Sequence, residues 1–118
     1  MAERKIRVLL VDDHSLVRLG FRRLLEDDPV ISVVGEASGG AEAVELARRL
    51  RPDVVVMDYA IPDGNGAVAT RLIRETAPGV RVLMLSMHSE PGYVANSREA
   101  GASGYLLKNA LDLELVAV

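Results

Sequence analysis

The sequence predicts an α/β fold: a doubly wound, five-stranded parallel sheet with helices on both faces, spanning residues 1–118 as one domain. Three observations carry that prediction. Short apolar runs rich in Val, Ile and Leu recur at regular intervals, the habit of strands buried on both faces. Segments with helical spacing of apolar residues lie between them. The strict alternation of the two leaves parallel strands joined by right-handed crossovers as the simplest topology.

In chain order the first strand is IRVLLV, Ile6 to Val11. A helix follows over Ser15 to Glu26, with Leu16, Leu19, Leu24 and Leu25 set among arginines and acids. ISVVGEA, Ile31 to Ala37, is the second strand, and Ala41 to Leu50 the second helix, its inner stripe formed by Ala43, Val44, Ala47 and Leu50. DVVVMD, Asp53 to Asp58, is the third strand; Ala67 to Thr76, with Val68, Leu72 and Ile73, is the third helix. VRVLMLS, ending at Ser86, is the fourth strand. Tyr93 to Ala100 is a shorter helix with Pro91 near its first turn, where proline is tolerated. SGYLLK, Ser103 to Lys108, is the fifth strand. Leu111, Leu115 and Val118 then suggest the start of a last helix, truncated after about two turns.

Composition excludes several classes. A net charge of −3 argues against a free-standing nucleic-acid binder, which is usually basic. Without cysteine there is no disulfide frame and no thiolate chemistry, which fits a reducing, cytoplasmic setting. The opening MAERKI does not read as a signal peptide. No apolar run approaches the roughly 20 residues needed to span a bilayer. The run Arg48, Arg49, Arg51 reads as a solvated helix end that favours the macrodipole.

In sheets of this kind chemistry gathers at the carboxyl ends of the strands. The first strand runs into Asp12 and Asp13, the third ends at Asp58, the fourth at Ser86 and the fifth at Lys108. Singly, such an Asp is usually a cap or turn residue, and such a Ser or Lys a turn hydroxyl or a surface charge. Together they set three carboxylates, a hydroxyl and an ammonium on one sheet edge. Three carboxylates repel one another, and a bound cation relieves the repulsion. An all-oxygen set suits a hard ion, Mg²⁺ or another divalent cation such as Mn²⁺. Asp58, at the centre, is the candidate nucleophile toward phosphorus, with Lys108 and the cation neutralising the transferring oxygens and Ser86 donating to one of them.

The motifs VLLVDDH (Val8 to His14), VVVMDYAIPDGNG (Val54 to Gly66), VLMLSMH (Val82 to His88) and GASGYLLK (Gly101 to Lys108) resemble response-regulator receiver domains over essentially the whole chain. With LVRLGFRRLLE (Leu16 to Glu26) they are similar to the NarL/FixJ branch, which normally joins the receiver to a helix-turn-helix DNA-binding domain. The resemblance implies strand order 2-1-3-4-5, with Asp58 as phosphoacceptor and the phosphoryl group arriving from a sensor histidine kinase. It implies Asp13, Asp58 and the Ala60 backbone carbonyl as direct metal ligands, with Asp12 acting mainly through water. Ser86 and Lys108 would contact phosphoryl oxygens, and Tyr105 matches the aromatic switch position. The face of the fourth helix, fifth strand and fifth helix would then change shape, altering homodimerisation or releasing the output domain.

Some positions depart from the common pattern. Asp63 adds a negative charge in the loop after Asp58, where it is expected to influence cation affinity. Asn109 stands where many receivers carry a proline, so the Lys108–Asn109 peptide is expected trans. Ala60 and His88 occupy positions that tune dephosphorylation in the family. His14 and His88 are read as local polar residues rather than ligands. The chain is expected to be a receiver cut from a longer regulator, a stand-alone receiver being the other possibility, and to be a signalling module rather than an enzyme. A Mg²⁺-dependent phosphohydrolase would need a second acid two residues after its nucleophile, where Ala60 stands. A flavin module would want a phosphate-cradling loop where Asp12 and Asp13 would repel the phosphate.

Overall fold

The computed structural model describes residues 4–88, 90–108 and 113–116. The elements run β1 (Ile6–Val11), α1 (Ser15–Glu26), β2 (Ile31–Ala37), α2 (Gly40–Leu50), β3 (Val54–Asp58), α3 (Gly66–Thr76), β4 (Arg81–Ser86), α4 (Pro91–Ala100), β5 (Gly104–Lys108) and β6 (Leu113–Val116). The sheet order is β2-β1-β3-β4-β5-β6, and the pairings among β1 to β5 are all parallel.

Alternation along the strands divides the core. Leu9, Val11, Val55, Met57, Val82, Met84 and Tyr105 belong to one buried layer, packed with Ala43 and Ala47 of α2 and Ala69 and Ile73 of α3. The alternate residues Val8, Leu10, Val56 and Leu85 pack on the other face, where Phe21 and Leu25 of α1 cover them. Both faces are apolar, as a parallel sheet between helices requires. Alanines at the α2 and α3 contacts keep those helices close to the sheet. Pro91 stands in the first turn of α4, and Gly101 ends that helix in the left-handed region at φ 106°.

One expectation is corrected. The segment Leu111 to Val118, expected to open a last helix, is a strand over Leu113–Val116, antiparallel to β5 with Leu106 opposite Leu115 and Lys108 opposite Leu113. The sequence L-D-L-E-L-V from Leu111 to Val116 alternates apolar and acidic residues, a period of two that competes with the helical reading. A helix so short is marginal in water, whereas pairing occupies the backbone groups that β5 would otherwise present at a sheet edge. The Lys108–Asn109 peptide lies outside the described residues.

Candidate functional site

The register sets the strand ends side by side. Val11 lies opposite Met57, so Asp12 and Asp58 are the next residues along two adjacent strands. Asp58 lies opposite Leu85, so Ser86 follows one step further, and Ser86 is opposite Leu107, so Lys108 comes one step beyond that. The expected residues thus climb across one edge of the sheet in strand order. The position of the Lys108 ammonium lies outside the described part of the chain.

Asp12, Asp58 and Ser86 are only 1%, 4% and 2% exposed. Buried polar groups need hydrogen bonds, and all three meet that need in the same way. Asp12 Oδ1 accepts from the His14 backbone N–H at 2.8 Å, Asp58 Oδ1 from the Ala60 N–H at 3.2 Å, and Ser86 Oγ from the His88 N–H at 3.0 Å. Each strand therefore ends in a side chain that turns the backbone two residues on. The turns explain why these residue types end strands; they do not explain why two buried acids end adjacent strands.

Asp13 is exposed, and its Oδ1 lies 3.0 Å from His14 Nδ1, which is also 3.5 Å from Asp12 Oδ1. Asp12, Asp13 and His14 each offer a ligand atom within 4.8 Å of the others, a group that does not include Asp58. His14 thus meets both neighbouring acids through one ring nitrogen. The donor set fits a hard divalent cation: oxygens from Asp12 and Asp13, and the Asp58 carboxylate one strand away, buried where charge calls for compensation.

Tyr105 is fully buried, and its hydroxyl donates to the His88 carbonyl. Burial pushes that hydroxyl above its ordinary value of 10, while a hydrogen bond with Ser86 works the other way. The ring is therefore already inside the fold, in contact with the strand end it was expected to sense. The sequence reading missed the aromatic groups around it. The His88 ring stacks on Tyr93 at 4.2 Å and 8°. Tyr93 meets Tyr59 edge-on at 5.2 Å, and Tyr59 Oη accepts from Asn96 Nδ2 at 2.6 Å. These contacts join the loops after β3 and β4 to α4.

Asp63 has a structural role that the sequence did not suggest. Its two carboxylate oxygens accept from the backbone N–H groups of Gly40 at 2.7 Å and Ala41 at 2.9 Å, at the start of α2. The N-cap of α2 is Gly39, which has no side chain to offer, so Asp63 supplies the missing cap from another loop. The Ala41 and Gly40 N–H groups hold its carboxyl below the ordinary carboxylate range. A folded-state pKa that is depressed gives stability that is present above the unfolded value and lost as pH falls through the folded one. Asp63→Ala is therefore expected to lower the melting temperature at neutral pH. Thermal melts should show the gap to the unmutated protein closing below about pH 4; a gap that persists unchanged into acid would contradict the capping role.

A family model described as response regulator receiver domain matches residues 8–118. Response regulator UvrY of Escherichia coli is 49% identical over 112 residues, covering 95% of this chain and 51% of that protein. Transcriptional regulatory protein DegU of Brevibacillus brevis is 44% identical over 106 residues, covering 90% of this chain and 45% of that one. The chain thus spans about half the length of the curated relatives it matches. Among solved structures, the signal receiver domain of the putative response regulator NarL from Mycobacterium tuberculosis superposes with a TM-score of 0.87 at 41% identity, covering 92% of this chain and 87% of that one. A LuxR-family two-component response regulator from Aurantimonas gives 0.83 at 46% identity, covering 86% of this chain and 72% of that one.

Proposed function

Because the chain belongs to the response regulator receiver domain family, in its NarL/FixJ branch, we propose that it takes a phosphoryl group onto Asp58 from the phosphohistidine of a sensor histidine kinase. The observation that carries this reading is the buried pair of Asp12 and Asp58 on adjacent strand ends, with Ser86 on the next. An Asp58 carboxylate oxygen attacks phosphorus in line with the departing imidazole nitrogen. Ser86 donates its hydroxyl hydrogen to a phosphoryl oxygen, and Lys108 at the end of β5 balances charge. Asp13, Asp58 and the Ala60 carbonyl would hold Mg²⁺ or Mn²⁺, with Asp12 acting through water. The ion's contribution is to neutralise the phosphoryl oxygens.

Phosphorylation adds close to two negative charges beside Ser86. As Ser86 turns toward them it gives up its present bond with the His88 N–H. The loop after β4 then settles into a second arrangement, read out on the face of α4 and β5. The relatives' greater length and the printed name of DegU support a DNA-binding output domain beyond the receiver, governed by that face through homodimerisation or release. Ala60, two residues past Asp58, offers no general acid, so the reading is of a phosphoacceptor module rather than a turnover enzyme. Among the described residues no helix is long and apolar enough to cross a membrane.

Labelling by a small-molecule phosphodonor tests the reading. One phosphoryl group per chain is expected with Mg²⁺ present, none after EDTA, and recovery on adding excess Mg²⁺ or Mn²⁺. Labelling that EDTA leaves unchanged would contradict the metal's part in the site.

A further inference from the structure

The acids at the end of β1 lie in a stretch that belongs to neither sheet nor helix: β1 ends at Val11 and α1 begins at Ser15. Asp12 and Asp13 are adjacent like charges, and repulsion drives their carboxylates apart. A small divalent cation such as Mg²⁺ tolerates little deviation from its preferred geometry. Something must therefore hold this peptide in one orientation, and the capping residue of α1, His14, makes no side-chain cap bond that would do so.

One side chain spans the gap. Arg18, on α1, donates from Nη1 to the Asp12 carbonyl oxygen at 2.6 Å and from Nε to Glu36 Oε1 at 2.9 Å. That carbonyl belongs to the peptide leading into Asp13. On its other side Asp12 is held by its own N–H, which donates to the Ala37 carbonyl at 3.0 Å. Glu36 is a rigid anchor, since it sits on β2 opposite Leu10 of β1. Its second oxygen accepts from Arg22, one turn further along α1. Burial works to raise the Glu36 pKa, but the hydrogen bonds from Arg18 and Arg22 outweigh it and keep the carboxylate charged.

Resting on the reading of Asp12 and Asp13 as the cation-holding pair, we propose that Arg18 is a positioning residue for that pair, its planar fork bridging the Asp12 carbonyl to Glu36 so that both carboxylates are preset for a divalent cation. The fork matters more than the charge. A lysine ammonium is a point charge on a flexible stem and does not reproduce two bonds in one plane.

The test measures phosphodonor labelling rate against Mg²⁺ concentration for the unmutated chain, Arg18→Lys, Arg18→Met and Glu36→Gln. Groups that orient metal ligands typically change metal affinity 10- to 100-fold, and an effect relayed through one peptide belongs at the lower end. Both Arg18 variants are therefore expected to need roughly ten-fold more Mg²⁺ for half-saturation. Their rates at saturating Mg²⁺ should stay close to the unmutated one. Glu36→Gln, which keeps an acceptor for the fork, should shift half-saturation less but in the same direction; it carries the test by itself if the Arg18 variants do not fold. An unchanged half-saturation in Arg18→Lys, or a tighter one in Arg18→Met, would overturn the proposal, the second showing that Arg18 acts only as a charge. A lower melting temperature with unchanged Mg²⁺ dependence would also overturn it, by reducing Arg18 to a structural brace. If the unmutated chain itself shows no Mg²⁺-dependent labelling, the metal reading fails and the proposal falls with it, whereas Mg²⁺-dependent labelling that the variants leave unshifted overturns the role of Arg18 alone.

Discussion

Asp58→Asn is expected to abolish phosphoryl uptake while leaving the fold intact. The substitution keeps an oxygen that can accept the Ala60 N–H, so the turn after β3 survives. It changes the volume of a residue only 4% exposed very little, so the packing at the end of β3 survives too. What disappears is the nucleophile, because an amide oxygen does not form a stable acyl phosphate under these conditions. Loss of the reacting group itself is an all-or-none effect, larger than any expected from Ser86 or Lys108, whose removal leaves the acceptor in place. Labelling should fall to the level of an unfolded control, with circular dichroism and the urea midpoint close to those of the unmutated protein. Retained labelling of the folded variant would place the acceptor on another residue.

Gly66→Ala is expected to be the most damaging single-methyl change near the site. Gly66 is the first residue of α3, where alanine would ordinarily gain about 1 kcal/mol of helix propensity. Here a Cβ would lie 2.5 Å from the Asp58 carbonyl oxygen, 2.9 Å from Met84 Sδ and 2.9 Å from Tyr59 Cα. Two of those neighbours are backbone and cannot swing aside. The Gly66 N–H also donates to the Tyr59 carbonyl at 2.7 Å, which pins the helix start against the end of β3. Overpacking costs about 1–3 kcal/mol, and a clash with backbone belongs at the upper end, so it outweighs the propensity gain. The relief available is to push α3 off β3, which moves Asp58. Urea unfolding should show a lower midpoint, and labelling should slow in the fraction that stays folded; a variant as stable as the unmutated protein, labelled at the same rate, would contradict the tight approach.

How much of this was legible in the residues follows from the range of each interaction. The five parallel strands and four helices could be read because each buries a local pattern, such as Val54 to Asp58 or Ser15 to Glu26, that needs no distant partner to be recognised. The strand-end residues followed from topology, and Asp12, Asp58 and Ser86 do lie side by side. The last segment misled because Leu111 to Val118 satisfies periods of two and of 3.6 at once, and the open edge of β5 decides between them. The capping role of Asp63 was hidden because its partners, Gly40 and Ala41, are 23 and 22 residues away in the chain. The Arg18–Glu36 bridge was invisible for the same reason: it joins α1 to β2, whose side chains meet only after the sheet has assembled.

The central claim is that the buried acid ending β3 is a phosphoacceptor. Intact-mass spectrometry of the unmutated chain after exposure to a phosphodonor and Mg²⁺, followed by fragmentation to locate the adduct, tests it most directly. A single phosphoryl group on Asp58 is the predicted result. A phosphoryl group on any other residue, or a folded, metal-loaded chain that gains none, would contradict it.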